Sequence, residues 1–146
     1  MSCPSGGGDC VAQSWLDQLH QYDPALAGII VPVELKVGDK EVRIPDSRLD
    51  TGATHCIFKR EYGELLGLPV DAGIEKVFGT AEGTFTGFGH EVSMCALGFE
   101  FSATVYFANF RYPRNVLGRY GWLQQMRIGI VDYEGKLFVA RYGDES

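Results

Sequence analysis

The sequence lacks a long apolar run and lacks an excess of basic residues. No stretch reaches the roughly 18 apolar residues of a membrane-spanning helix. Thirteen Lys and Arg against nineteen Asp and Glu leave a net charge of −6, which argues against nucleic acid and an anionic membrane as partners. The opening MSCPSGGGDC has no basic segment before an apolar one, so it is unlike a secretory signal and a cytoplasmic location is expected.

The cysteines and histidines lack the spacing of a metal site. Cys3, Cys10, Cys56 and Cys95 form no C-x-x-C pair, and no Cys–His cluster is present. We therefore expect no metal and no cofactor. Four free thiols in a reducing compartment are expected, with oxidation of Cys3 and Cys10 left open.

Glycine and aromatic residues are the abundant classes. Nineteen Gly, nine Phe and seven Tyr alternate along a chain of 146 residues, which is most simply one domain. This pattern is typical of many short strands joined by tight turns. The sequence predicts an all-β fold with one or two short helices.

Helical spacing of apolar residues occurs in two short stretches. The segment 11–22 has apolar residues at helical spacing and predicts a helix. KREYGELLGLP predicts a second helix with Tyr62, Leu65 and Leu66 pointing inward. Residues 1–28 are accordingly assigned to an N-terminal tail and short helix, and residues 29–146 to the folded domain.

Alternating apolar residues predict the strands. AGIIVPVELKVGDKEVRI predicts a hairpin with its turn at VGDK, followed by a further turn at Pro45-Asp46. VFGTAEGTFTGFGHEVSM predicts a long hairpin with a bendable tip. FEFSATVYFA predicts one half-buried strand, and RIGIVDYEGKLFVARY predicts two strands around its YEG turn.

RLDTGATHCIF places one carboxylate, Asp50, in an otherwise apolar segment. Asp-Thr-Gly by itself suits any turn, because Asp accepts local backbone hydrogen bonds and Gly allows a positive φ. The context adds a small apolar loop around the Asp and, 65 residues downstream, the segment NVLGR. The glycine-rich hairpin lies between these two segments.

LDTGA, TAEG, LGLP and PRNVLGR, in this order, resemble the retropepsin family of aspartic proteases over about Ile29 to Ala140. The resemblance implies a retropepsin-like half-barrel that works as a C2 homodimer, and an aspartic endopeptidase that hydrolyses peptide or protein substrates. Because DTG occurs once, Asp50 would meet the Asp50 of a second copy and share one proton with it. The partners expected are itself and a peptide substrate.

The resemblance also implies roles for neighbouring residues. Thr51 would hydrogen-bond across the dimer axis, Gly52 would offer its carbonyl to substrate, and Ala53 would keep the floor of the cleft small. The hairpin from Gly79 to Gly89 would close over the substrate. The expected substrate-binding and supporting residues are Arg48, Thr51, Gly52, Ala53, His55, Ile57, Gly79, Thr80, Ala81, Arg114, Val116, Leu117, Gly118 and Arg119.

The chain departs from the family pattern in its charges. Thr54 stands where many relatives carry an acidic partner for the Arg of the LGR motif, so Arg119 needs another partner. Arg48 and Arg114 fall near the wall of the substrate pocket, where two guanidiniums would disfavour basic side chains and favour acidic ones.

Adjacent His55 and Cys56 would point to opposite faces of a strand, which argues against a Cys–His nucleophile.

Two alternatives to a free-standing protease stay open. The same fold could serve as a catalytically inactive dimerisation or peptide-binding module. An intact Asp50-Thr51-Gly52 favours the enzyme. Self-cleavage within a larger precursor is a third possibility.

Overall fold

A computed structural model describes residues 18–109 and 114–143, which contain ten strands, one α-helix and three short 3₁₀ helices. This confirms the predicted all-β fold. The strands are β1 (Gln18–Gln21), β2 (Ile29–Val37), β3 (Lys40–Leu49), β4 (Ile57–Phe58), β5 (Ile74–Thr80), β6 (Gly83–Ala96), β7 (Phe99–Ala108), β8 (Asn115–Leu117), β9 (Met126–Val131) and β10 (Lys136–Arg141). Helix α1 spans Arg60–Leu65, and the 3₁₀ helices span Val70–Ala72, Leu123–Gln125 and Asp132–Glu134.

The larger sheet curls until it closes. Its strand order is β2-β3-β8-β4-β7-β6-β5, and β2 also pairs with β6 around Leu35 and Met94. The closed part is therefore barrel-like, and β5 extends from it as one arm of the β5–β6 hairpin. A second sheet has the order β1-β10-β9.

Alternation along the strands builds the core. In β2, Val31, Val33 and Leu35 are buried while the residues between them are partly exposed, as expected where one face of a strand covers a core. Trp122 and Phe107 are also fully buried. Burial of each such side chain contributes roughly 1.5–3 kcal/mol.

The predicted turn at Pro45-Asp46 is wrong, because both residues lie inside β3. Val33 pairs with Ile44 and Val31 pairs with Ser47, so β3 advances by three residues where β2 advances by two. A bulge of this kind accommodates a proline, whose nitrogen cannot donate to the ladder. The predicted hairpin turn after β2 is confirmed.

The predicted helix at residues 11–22 is wrong where the structure describes it. Residues 18–21 form β1, which pairs with β10 from Gln18↔Val139 to Gln21↔Lys136. Residues 11–17 lie outside the described residues. Pairing with a distant strand satisfies the backbone of β1, and local spacing carries no sign of it. The boundary at residue 28 stays a prediction.

Helix α1 is confirmed, but Leu65, which was predicted to point inward, points into solvent. Leu66 is buried, whereas Leu65 is 64% exposed. Gly63 faces inward, and a Cβ on it would lie 3.0 Å from Phe107 Cγ and from Val70 Cγ2. The helix therefore approaches the sheet through a glycine, and this rotation leaves Leu65 in solvent.

The cysteines differ from the expected set of free thiols. Cys56 is free and buried, but Cys95 belongs to a disulfide. Sequence spacing cannot reveal which distant cysteines the fold brings within bonding distance. Over residues 18–109 and 114–143, no helix has the length and apolarity to cross a bilayer.

A buried amide joins three elements. Asn115 at the start of β8 is fully buried. Its Oδ1 accepts a hydrogen bond from the Lys59 backbone N–H at 2.9 Å, and its Nδ2 donates to Asp46 Oδ1 at 3.0 Å. The side chain thereby ties β8 to β3 and to the start of α1.

We expect Asn115→Ala to lower the free energy of unfolding by about 2 kcal/mol, because the Lys59 N–H loses its acceptor in a buried position. Urea denaturation measures this change. Asn109→Ala is the matched control, since Asn109 is exposed. An equal loss in both variants would contradict the role assigned to Asn115.

Candidate active site

Asp50 lies directly after β3, in a tight loop held by backbone hydrogen bonds. Its N–H donates to Leu117 O at 3.0 Å, and its carbonyl accepts from the Ala53 N–H at 3.1 Å. The Gly52 N–H donates to Asp50 Oδ1 at 2.9 Å. Asp50 is exposed, so the fold fixes the loop while leaving the carboxylate accessible.

The two motifs that the sequence singled out lie side by side. β8 runs parallel to β3, with Leu49 opposite Leu117. Beyond β8, the Arg119 N–H donates to Ala53 O at 2.9 Å. The Tyr120 N–H continues the pattern by donating to Thr54 O at 2.8 Å.

Gly118 is the point of closest approach between these segments. A Cβ at this position would lie 2.3 Å from His55 O and 2.8 Å from Ala53 O. Both contacts are with backbone, which cannot rotate away. A side chain at position 118 would therefore separate the Asp50 loop from the segment after β8.

The β5–β6 hairpin extends beside the Asp50 loop. Its turn at Ala81-Glu82 is closed by two hydrogen bonds of Thr80, whose Oγ1 donates to Gly83 O at 3.1 Å and accepts from the Glu82 N–H at 3.2 Å. The Phe78–Phe85 pair, with two residue pairs between it and the turn, packs in a small apolar cluster with Ile57, Tyr106 and Ala108. The hairpin is therefore anchored at Phe78 and Phe85, and the residues between this pair and the turn are held by local contacts.

A cleft of about 440 Å³ lies between the hairpin and the Asp50 loop. Asp50 is exposed to this cleft together with residues from β4, β5, β6 and β8. The lining residues are Asp50, Gly52, Ala53, Thr54, Ile57, Lys76, Val77, Phe78, Gly79, Thr80, Phe85, Arg114 and Val116. Among residues 18–109 and 114–143, no group of His, Cys, Asp and Glu is arranged to hold a metal ion.

His55 joins the Asp50 loop to the hairpin. Its ring packs edge-on against Phe78 and Tyr106, with ring centroids 5.7 and 5.1 Å away, and its Nδ1 lies 2.9 Å from Thr54 Oγ1. Burial lowers the pKa of His55, and the charge of Lys76 lowers it further. The neutral ring is therefore favoured in the folded protein.

Cys56 is unsuited to act as a nucleophile. Its side chain is fully buried, and burial raises the pKa of its thiol to about 12 against a weaker opposing effect of the Gly118 N–H. The thiolate is the reactive form of cysteine, and it is scarce at such a pKa. Cys56 instead accepts the Gly118 N–H at 3.4 Å.

Seven of the residues named from the sequence, besides Asp50, line the cleft. They are Gly52, Ala53, Ile57, Gly79, Thr80, Arg114 and Val116. Leu117 and Gly118 are buried behind the loop, and Ala81 lies in the hairpin turn. Thr51 is an exposed residue of the loop itself and does not line the cleft of the single protomer.

Arg48 and Arg119 lie outside the cleft lining. The Arg48 side chain packs over Gly28, and its Nε is buried with no hydrogen-bond partner in the described part of the chain. The Arg119 guanidinium lies over the ring of Tyr120, 5.7 Å from its centroid. The expectation that Arg48 forms part of the pocket wall is not supported by this position.

Sequence reasoning missed several lining residues. Lys76, Val77 and Phe78 belong to β5, and Phe85 lies opposite Phe78 in the hairpin. Alternation held a usable signal for Lys76 but not for its neighbour Val77, because only residues two apart share a face of a strand. That rule would have predicted that Lys76 lies on the same face of β5 as Phe78.

We expect Gly118→Ala to lower the free energy of unfolding by roughly 3 kcal/mol, because the added methyl group meets backbone that cannot move locally. Thermal or urea unfolding measures the loss. Gly79→Ala is the control, since nothing lies within 4 Å of a Cβ built there. A stable Gly118→Ala protein would mean that the two segments can separate at little cost.

The free energy of unfolding should also decrease as the pH is lowered, because His55 becomes protonated more readily in the unfolded chain. Its folded-state pKa lies below the ordinary 6.5, so the unfolded chain binds more protons below that pH. The contribution is complete above about pH 6.5 and is lost as the pH falls through the lowered pKa. Unfolding measured from pH 5 to 7.5 should show a flatter slope in His55→Phe than in the wild type; equal slopes would refute this assignment.

Comparisons with known proteins support the fold. No protein-family model matches the chain, and no curated protein sequence matches it. A crystal structure of a retropepsin-like aspartic protease from Rickettsia conorii is similar, with a TM-score of 0.55 and 18% identity over 75% of this chain and 88% of that chain. At this identity the likeness concerns architecture, and we conclude that the chain has the retropepsin-like all-β fold.

Proposed function

We propose that this protein is an aspartic endopeptidase that hydrolyses peptide bonds as a homodimer. The observation that carries the proposal is the exposed Asp50 carboxylate on a rigid loop, facing a cleft beside a hairpin. The similarity of the fold to that of a known aspartic protease supports the general kind of activity. The substrate, the dimer and the role of each residue belong to the proposal.

The chemistry requires a second carboxylate, which we assign to a second copy of the chain. Asp50 is the one acidic residue among the cleft-lining residues that the structure describes. Two carboxylates that share a proton hold one group ionised and the other protonated at mildly acidic pH. A two-fold axis beside the loop would bring two Asp50 side chains together.

In the proposed reaction the ionised carboxylate takes a proton from a water molecule. The water oxygen bonds to the scissile carbonyl carbon, while the protonated carboxyl donates its proton to the carbonyl oxygen. The tetrahedral diol then collapses, the C–N bond breaks, and the amine leaves with a proton returned by the dyad. The pair titrates as a unit, so activity should show two apparent pKa values that belong to both copies.

The surrounding residues fit supporting roles in this scheme. The Gly52 N–H bond to Asp50 Oδ1 orients the carboxylate. We assign Thr51 to contacts across the axis, because it is exposed next to Asp50 and outside the cleft lining. The hairpin tip around Thr80 would close over the substrate and exclude water.

β9 is the surface that we assign to the dimer. Among the described strands it has one neighbour, β10. Ile130 and Val131 at its end are 43% and 41% exposed. Adjacent strand residues point to opposite faces, so an apolar side chain is uncovered on each face. A second copy paired along this edge would cover both and satisfy the open backbone groups.

One experiment tests both parts of the proposal. Cleavage of a peptide library is measured between about pH 4 and 7, the range in which such a dyad holds one proton, together with the solution mass. Asp50→Asn should reduce cleavage by about 10³-fold or more while the dimer persists. Ile130→Lys on the β9 edge should weaken the dimer and lower specific activity at low protein concentration.

The control is Leu65→Lys, which adds a charge at an exposed position of α1 away from both surfaces. Full activity in Asp50→Asn would refute the dyad. A dimer that binds peptide but does not cleave it would identify the chain as a peptide-binding module. A monomer that remains active at high dilution would refute the shared site.

A further inference from the structure

Two cations line the cleft, on different elements. Lys76 lies on β5 of the hairpin, and Arg114 lies immediately before β8. Asp50 is the third charged residue of the described lining. The chain as a whole has a net charge of −6, so the walls of this cleft carry a charge opposite to that of the molecule.

Lys76 occupies the inner side of the hairpin. It lies two residues before Phe78, and residues two apart share a face of a strand. Phe78 is buried against His55, Phe85 and Tyr106. Lys76 lines the cleft together with Asp50 and Gly52, and its charge contributes to lowering the pKa of His55.

Arg114 lines the cleft from a different element, next to the motif that holds the Asp50 loop. It is two residues before Val116, and both line the cleft. Lys76 and Arg114 make no ion pair within residues 18–109 and 114–143; the ion pairs of that part involve other Lys and Arg residues. Both cations are exposed and free to meet a charged ligand.

We propose that the cleft selects peptides with an acidic side chain near the scissile bond, and that Lys76 and Arg114 are the residues that determine this specificity. The inference rests on the proposed endopeptidase function. A glutamate or aspartate side chain would pair with one of the cations. Closure of the hairpin would remove water and strengthen the pairing.

A basic side chain of the peptide would be repelled by the two cations. It would add a third positive charge beside Lys76 and Arg114, with Asp50 as the one negative group in the described lining. Like charges brought together in a desolvated site disfavour binding. The cleft should therefore discriminate between acidic, neutral and basic peptides of the same shape.

The test compares peptides that differ at one position. A cleaved peptide is remade with Glu, Gln or Lys at each of the three residues on either side of the scissile bond. The assay runs at about pH 6, where a free glutamate with a pKa near 4.3 is ionised. We expect a Glu-to-Gln ratio of kcat/KM of roughly tenfold at one or more positions, decreasing with added salt.

Variants assign the preference to the two cations. Lys76→Met and Arg114→Gln should each lower the Glu-to-Gln ratio, and Lys76→Glu with Arg114→Glu should reverse it in favour of Lys. Arg43→Gln is the matched control, because Arg43 is exposed on β3 outside the cleft. The ratio is independent of the amount of active dimer, so a loss of stability alone does not change it.

Binding to Asp50→Asn separates this inference from the proposed function. Fluorescence anisotropy with labelled Glu and Gln peptides should show the same preference without turnover. Cleavage with equal rates for Glu and Gln would overturn the inference and leave the endopeptidase intact. Preferred binding of Glu peptides with no cleavage by the wild type would overturn the endopeptidase and support the charge selection. A preference that survives in the double variant would also overturn the inference.

Discussion

The contact on which the site depends is the approach of Gly118 to the backbone of Ala53 and His55. With no side chain at position 118, the two segments come close enough for the Arg119 and Tyr120 N–H groups to bond to the Asp50 loop. These bonds replace water around backbone that a surface loop would otherwise leave exposed. The loop is therefore as well defined as a strand, although its carboxylate remains open to solvent.

The hairpin is coupled to this rigid centre through Phe78, two residue pairs from its turn. His55 follows the loop and packs against Phe78, so the loop and the hairpin share one apolar cluster. Near the tip the contacts are local, because Gly79 and Gly83 have open space around them. The floor of the cleft is therefore fixed and only the turn beyond Phe78 and Phe85 is free to move, which suits a site that must admit an extended peptide and then exclude water.

Much of the site was predictable because its signals are local in the sequence. LDTGA and NVLGR each combine a strand end with a glycine, and the resemblance to the retropepsin family implied that they meet. The β2–β3 and β5–β6 hairpins followed from alternation and turn residues. The prediction was wrong for β1. Its apolar residues have helical spacing, but the segment is a strand whose partner, β10, lies more than a hundred residues away.

The sequence by itself determined the alternation of the strands, the single Asp-Thr-Gly and the small residues around it, since these depend on neighbours along the chain. The tertiary structure decided which cations face the cleft. Arg48 is close to Asp50 in sequence yet packs over Gly28, whereas Lys76 reaches the site from a distant hairpin. Which face of a strand meets which loop is set by the closure of the sheet, and that closure depends on pairings between residues far apart in the chain.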